Sequence, residues 1–198
     1  MARLFLAAVP PVEARSALVE GCQRLRRSGV KAQWQPTEKL HVTVCFFGEV
    51  AHQAVESLID GLRTALAEVS AAEVAWGTLG AFRLGKPGGI LWAGVEEFPE
   101  RAVLTAGHRC AAAVAEALGL PYDRKPLRPH ITLARHLQSG HVLQEYLGEL
   151  LSDIVPQLQA VPSFYIDTLI LMASQWQGDQ LRYLPQARFT LAALSDHR

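Results

Sequence analysis

Apolar and polar positions along this chain switch between two periods in a repeating order. Residues 3–9 form a short apolar run stopped by Pro10-Pro11, which reads as a buried strand. From 12 to 28 the spacing turns helical, with Val12, Leu18, Cys22 and Leu25 on roughly one face, and Ser28-Gly29 closes the helix. A loop holding Trp34 and Pro36 leads to a strand over 40–47 that Gly48 ends. The clearest helix covers 51–69, where Val55, Leu58, Ile59, Leu62, Leu66 and Val69 recur at the helical period. A strand over 73–82, the turn signal Lys86-Pro87-Gly88-Gly89 and a strand over 90–95 follow as a hairpin. A helix over 99–118 ends at Gly119, and a proline-containing loop over 121–129 delivers a strand over 130–135. Another helix is expected over 141–152. Two last strands, 163–173 and 181–194, flank Gln177-Gly178-Asp179.

The order strand, helix, strand, helix, strand occurs twice. Leu4 to His41 and Leu91 to His130 are nearly equal intervals. The expectation is one bilobal domain over 1–198, its interleaved lobes forming a pseudo-repeat of about 1–85 and 89–194. An approximate two-fold axis would bring equivalent strands face to face. The repeat is one of architecture, since identity between the halves is low outside two short motifs.

Those motifs are His41-Val42-Thr43 and His130-Ile131-Thr132. In a strand, residues two apart share a face. His41 and Thr43 therefore point one way and Leu40, Val42 and Val44 the other; His130 and Thr132 oppose Ile131 and Leu133 in the same manner. Two imidazoles and two hydroxyls converging on one cleft suit a phosphodiester. An imidazole exists in either protonation state near neutrality, so one can take a proton from water while the other supplies one to the leaving oxygen. The threonines can donate to phosphoryl oxygens as charge builds there. The division needs no metal, and no third ligand of suitable spacing stands near either motif. No cofactor is called for.

Composition narrows the substrate. Lys+Arg and Asp+Glu are both 19 among 198 residues, so the basic excess of a long nucleic-acid binder is missing, and a short or terminal nucleic acid remains. Hydrophobic residues reach 49%, ample for a core. Cys22, Cys45 and Cys110 show no paired spacing, which points to a reducing, cytoplasmic setting. The N-terminal apolar run is shorter than a signal-peptide core, and no stretch has the length of a membrane span.

The segments Leu40-His41-Val42-Thr43-Val44-Cys45-Phe46-Phe47-Gly48-Glu49-Val50 and Leu127-Arg128-Pro129-His130-Ile131-Thr132-Leu133-Ala134-Arg135 resemble the two motifs of the 2H phosphoesterases, in particular the LigT-like RNA 2′,3′-cyclic phosphodiesterases. Trp34, Gly80-Ala81-Phe82, Leu91-Trp92-Ala93-Gly94-Val95 and the terminal strand pair also resemble the family in position. Cys45 departs from it, standing where the family often has a lysine or another polar residue. The resemblance implies an α+β fold of two lobes, with antiparallel sheets, outer helices and a central cleft. It implies hydrolysis of RNA or nucleotide 2′,3′-cyclic phosphate ends to 2′-phosphomonoesters, with His41 as proton donor and His130 as acceptor; sequence physics alone leaves the two roles interchangeable. Separately, a monomer is expected. It also favours Arg135 as a phosphate contact, although alternation points that residue away from the cleft unless a bulge turns it back. Arg128 is a second phosphate candidate, and Phe47, Trp34 and Trp92 are candidates to stack on a base. His52, His108, His136, His141 and His197 match no motif and read as surface or helix-capping residues. Two alternatives stand beside hydrolysis: 2′–5′ ligation of RNA ends, and a non-catalytic RNA-end binding module.

Overall fold

A computed structural model describes residues 1–82, 89–137 and 154–193. The expected helix over 141–152, most of the turn at 86–89, His141, His197 and the last residues lie outside that range. The elements are β1 (Ala2–Ala8), α1 (Val12–Arg27), β2 (Gln33–Trp34), a 3-10 turn (Thr37–Lys39), β3 (Val42–Val50), α2 (His52–Leu66), β4 (Ala72–Phe82), β5 (Gly89–Glu97), a second 3-10 turn (Pro99–Arg101) and α3 (Val103–Ala117). Then come β6 (His130–Leu137), α4 (Val155–Ala160), β7 (Ser163–Ile166), β8 (Thr168–Gln177) and β9 (Gln180–Thr190).

Among the described residues the strands form one nine-stranded sheet in the order β7-β4-β5-β6-β3-β1-β8-β9, with β2 pairing β6. The order is symmetric about the β6–β3 seam. The third strand of each half crosses over: β4 pairs β5, and β8 pairs β1. Each side of the sheet thus draws strands from both halves of the chain. Equivalent strands β3 and β6 lie side by side rather than face to face, and the cleft is the concavity of a curled α+β sheet.

Helices cover the other face. The core joins Leu18 and Leu25 of α1, Leu58, Leu62 and Leu66 of α2 and Leu104, Ala111 and Ala115 of α3 to Leu4, Leu6, Val42, Val44, Ile131 and Leu133 of the sheet. The buried stripe of α1 runs through Ala14, Leu18, Gly21 and Leu25, so Val12 is exposed rather than core. The expected helix over 99–118 begins later, at Val103, after the second 3-10 turn. No side chain of its own caps α3; the Glu97 carboxylate at the end of β5 accepts from the backbone N–H groups of Leu104 and Thr105, an anion placed where a helix N-terminus favours one.

Three strand boundaries also moved. Trp34, expected in a loop, belongs to β2. The strand expected over 163–173 is broken at Asp167 into β7 and β8, which lie in opposite halves of the sheet. Gly48 does not end β3: it adopts φ +71, a conformation glycine takes without a Cβ penalty, and the strand continues to Val50 through an irregularity there. Among the described residues, no helix is long and apolar enough to cross a membrane.

Candidate active site

The seam between β3 and β6 is a single antiparallel pairing, Val42 opposite Ile131, both fully buried. Carried one residue either way, that register sets His41 opposite Thr132 and Thr43 opposite His130. Because the paired residues face the core, all four polar side chains face the cleft, as alternation predicts. The imidazoles are held alike. His41 Nδ1 donates to the Lys39 carbonyl and His130 Nδ1 to the Arg128 carbonyl, each at 2.7 Å and each two residues back. A carbonyl only accepts, so Nδ1 carries the proton and Nε2 is left for the cleft in the neutral ring. His41 Nε2 accepts from the Thr43 hydroxyl at 3.2 Å.

Past each threonine the strands bulge in the same way. Ala7 opposes Thr43 but Leu6 opposes Cys45, leaving Val44 as an extra residue; Trp92 opposes Thr132 but Leu91 opposes Ala134, leaving Leu133 as its counterpart. A bulge inverts the alternation beyond it. The residue five past each histidine, Phe46 or Arg135, is therefore brought to the cleft, where both join the lining of a groove with His41 and Thr43. Groups outside the bulged pairings satisfy the carbonyls: His108 Nδ1 of α3 donates to Val44 at 2.8 Å, and the Gln35 N–H donates to Leu133 at 2.8 Å. Just beyond Arg135, His136 holds φ +51, unusual for a residue with a side chain.

The same bulge corrects the expectation for Phe47. Parity counted along an unbroken strand puts it on the histidine face, but it is buried in the core at 1% exposure, and Phe46 takes the cleft position. Trp34 packs against the core and lines a separate shallow hollow beside Lys31 and His136, away from His41. The Arg128 side chain is exposed and outside the groove lining; the backbone carbonyl of this residue is what serves His130. Arg135 is exposed in the groove and takes part in none of the ion pairs among the described residues. Cys45 is buried, and burial pushes its thiol up to about 12, so it is no nucleophile.

The walls around the histidines differ. Phe5 and Tyr183 close on His41, with ring centroids 5.0 and 5.2 Å away, Tyr183 edge-on. Burial lowers the His41 pKa to about 4; the bond to the Lys39 carbonyl works against this, and the nearby charges of Arg135 and His130 add to it. On the other side Phe82 and Trp92 stack at 5.0 Å and meet His130 edge-on at 5.6 and 6.3 Å. The Trp92 ring lies across Gly80, where a Cβ would come within 2.5 Å of Cζ2. Its indole N–H is buried without a partner among the described residues. Phe5, Tyr183 and His108 escaped sequence reasoning. No periodicity links positions so far apart in the chain, and the expectation that His108 is a surface or capping residue gives way to a strand-holding bond.

The chain is similar to several known proteins. The family model described as LigT like Phosphoesterase matches residues 9–92, a span that includes the first motif and stops before the second. An RNA 2′,3′-cyclic phosphodiesterase of Geobacillus stearothermophilus is 31% identical over 105 residues, which cover 53% of this chain and 32% of that relative. Among solved structures, E. coli LigT in its apo form is similar with a TM-score of 0.73 at 20% identity, over 96% of this chain and 97% of that one. E. coli LigT complexed with 3′-AMP gives a TM-score of 0.71 at 21% identity, over 96% and 98%. At these identities the likeness to the solved structures is one of fold.

Proposed function

We propose that this chain, similar to the LigT-like phosphoesterases in its family match and in its fold, opens 2′,3′-cyclic phosphates at RNA or nucleotide ends to 2′-phosphomonoesters by metal-independent acid–base catalysis. The observation that carries the reading is the square of His41, Thr132, Thr43 and His130 about the Val42–Ile131 pair, with each imidazole pinned through Nδ1. Such a site offers two proton-transfer groups on opposite sides of one phosphorus, and two hydroxyls for its non-bridging oxygens. Arg135 supplies the charge, its planar fork suited to two phosphoryl oxygens.

In this reading His130 takes the proton of the attacking water, the new P–O bond forms, the P–O3′ bond breaks, and His41 returns a proton to O3′. Burial lowers the His41 pKa to about 4, which leaves the ring neutral at pH 7. The donor role therefore requires the bound phosphodiester to raise that pKa so that the ring takes a proton from solvent: an anion beside the ring offsets the charges of Arg135 and His130. The same low pKa favours the reverse assignment, His41 as acceptor, as the second reading.

Turnover of a 2′,3′-cyclic nucleotide in excess EDTA, with the product position read by phosphorus NMR, tests the proposal. A 2′-phosphate formed at an undiminished rate is expected. Loss of activity with chelator, or full activity in both His41→Ala and His130→Ala, overturns it. Ligation of RNA halves bearing a 2′,3′-cyclic phosphate and a 5′-hydroxyl would use the same groups in reverse, and the same preparations assay it.

A further inference from the structure

We propose that the concave face of β1, β8 and β9 is a subsite for the nucleotides preceding the cyclised end of a single-stranded RNA, with Trp176 as its outer stacking platform. The inference rests on the cyclic-phosphodiesterase reading above and extends it to a substrate longer than a mononucleotide.

A 2′,3′-cyclic phosphate occupies both lower oxygens of the terminal ribose, so the strand can continue only through the 5′ oxygen. Any binding surface beyond the terminal nucleotide must therefore serve the residues upstream. The groove that holds His41, Thr43 and Arg135 has a volume of about 1060 Å³ and runs without interruption onto the β8–β9 hairpin. That is at the upper limit of the roughly 300–1,000 Å³ of a typical small-molecule site.

Cross-strand register shows what the face carries. Phe5 opposes Phe46 and Met172, Arg3 opposes Ser174, Ser174 opposes Tyr183, and Trp176 opposes Leu181. Opposed residues share a face, so Phe46, Tyr183 and Trp176 stand with Arg3 on the side of the histidines. Trp176 is 70% exposed, an unusual state for a large aromatic ring in a strand. An open antiparallel sheet presenting aromatic rings and guanidinium groups is a common means of holding unpaired bases and their phosphates. The Arg3 guanidinium lies over the Phe46 ring at 5.2 Å, and Arg3 joins no ion pair among the described residues. Glu49 opposite Arg3 and Asp179 at the hairpin turn also line the groove. These carboxylates cap the charge available to phosphates, which fits a track of a few nucleotides and the zero net charge of the chain.

The test compares kcat/KM for a mononucleotide 2′,3′-cyclic phosphate with that for a pentanucleotide of the same end. The wild type is expected to favour the pentanucleotide by about tenfold or more, in line with stacking of one or two bases. Trp176→Ala removes most of that preference, lowering the pentanucleotide value about tenfold more than the mononucleotide value, while Trp176→Phe keeps the larger part. Arg3→Gln weakens the salt dependence for the pentanucleotide. Trp176 is exposed on the hairpin, and circular dichroism of each variant checks the fold. Equal kcat/KM for the two substrates in the wild type, or equal losses on both in Trp176→Ala, overturns the subsite and leaves the cyclic-phosphodiesterase reading standing. Failure to turn over either substrate overturns that reading, and the subsite with it.

Discussion

Around His41 the cleft is closed by Phe5 and Tyr183 and opens into a groove bearing Arg3 and Arg135, whereas around His130 it is walled by the Phe82–Trp92 stack laid over Gly80. The backbone beneath is the same on both sides: a histidine tied through Nδ1 to a carbonyl two residues back, a threonine two residues on, and a bulge that inverts the alternation. The comparison separates what a motif supplies from what its surroundings supply. The motif orients Nε2. The walls decide how readily that nitrogen takes a proton, and at His41 burial is the largest cause of the lowered pKa.

Removing either imidazole has the largest expected effect. His41→Ala and His130→Ala each lower kcat on a 2′,3′-cyclic nucleotide by about 10²–10⁴-fold, the usual weight of a positioned proton-transfer group. An aryl phosphodiester, whose leaving group needs no proton, divides the two sides: the donor variant regains most of its rate with it and the acceptor variant does not. Recovery in His130→Ala rather than His41→Ala would exchange the two roles.

Arg135→Ala comes next, with kcat/KM falling about 10- to 100-fold for loss of a charge-assisted phosphate contact. Arg135→Lys restores only part, because a point charge does not reproduce the fork. Arg128→Ala, exposed and off the groove, stays within about twofold by the same reasoning. Equal losses at the two positions would sink the argument from the bulge.

His108→Leu leaves the Val44 carbonyl without its donor and is expected to cost about 1–3 kcal/mol in urea denaturation. Activity falls with it, since that bulge positions the strand end carrying Thr43. Unchanged stability would mean that the carbonyl needs no partner.

The smallest effect is the pH dependence set by His41. Folded His41 is neutral down to about pH 4, while the unfolded ring takes a proton below its usual 6.5. The unfolded state therefore binds more protons between those values, so this contribution to stability is intact above about 6.5 and is lost as pH falls toward 4. The wild type should lose on the order of 1–2 kcal/mol more than His41→Gln between pH 7 and 5, by denaturation. Proton NMR of the ring, repeated with inorganic phosphate, should show the midpoint rising as the anion binds. A midpoint near 6.5 in the free protein contradicts the burial argument.

Apart from β2, α4 and the break between β7 and β8, the order of the described elements was readable in the chain, as were the helical stripe of α2 and the division of each motif strand into a core face and a polar face. These follow from periods of two and 3.6 residues, which are local properties. Parity failed at one step in each motif strand. It assigned Phe47 to the cleft and turned Arg135 away, because nothing local announces that Val44 and Leu133 are extra residues. A bulge is decided by the partner strand and by whatever satisfies the freed carbonyl, here His108 from α3 and the N–H of Gln35. The resemblance to a family pointed to Arg135 for a reason that the alternation of side chains could not supply.

By itself, then, the sequence determined two strands with a histidine and a threonine on one face and an apolar anchor on the other. Tertiary structure decided how those strands meet: side by side at Val42 and Ile131, with Tyr183 from β9 against His41 and Trp92 from β5 against His130. Alternation is encoded in neighbouring residues and survives wherever a strand forms. Register, bulges and the walls of a cleft depend on which distant segments share the sheet, and that is settled only when the core closes behind it.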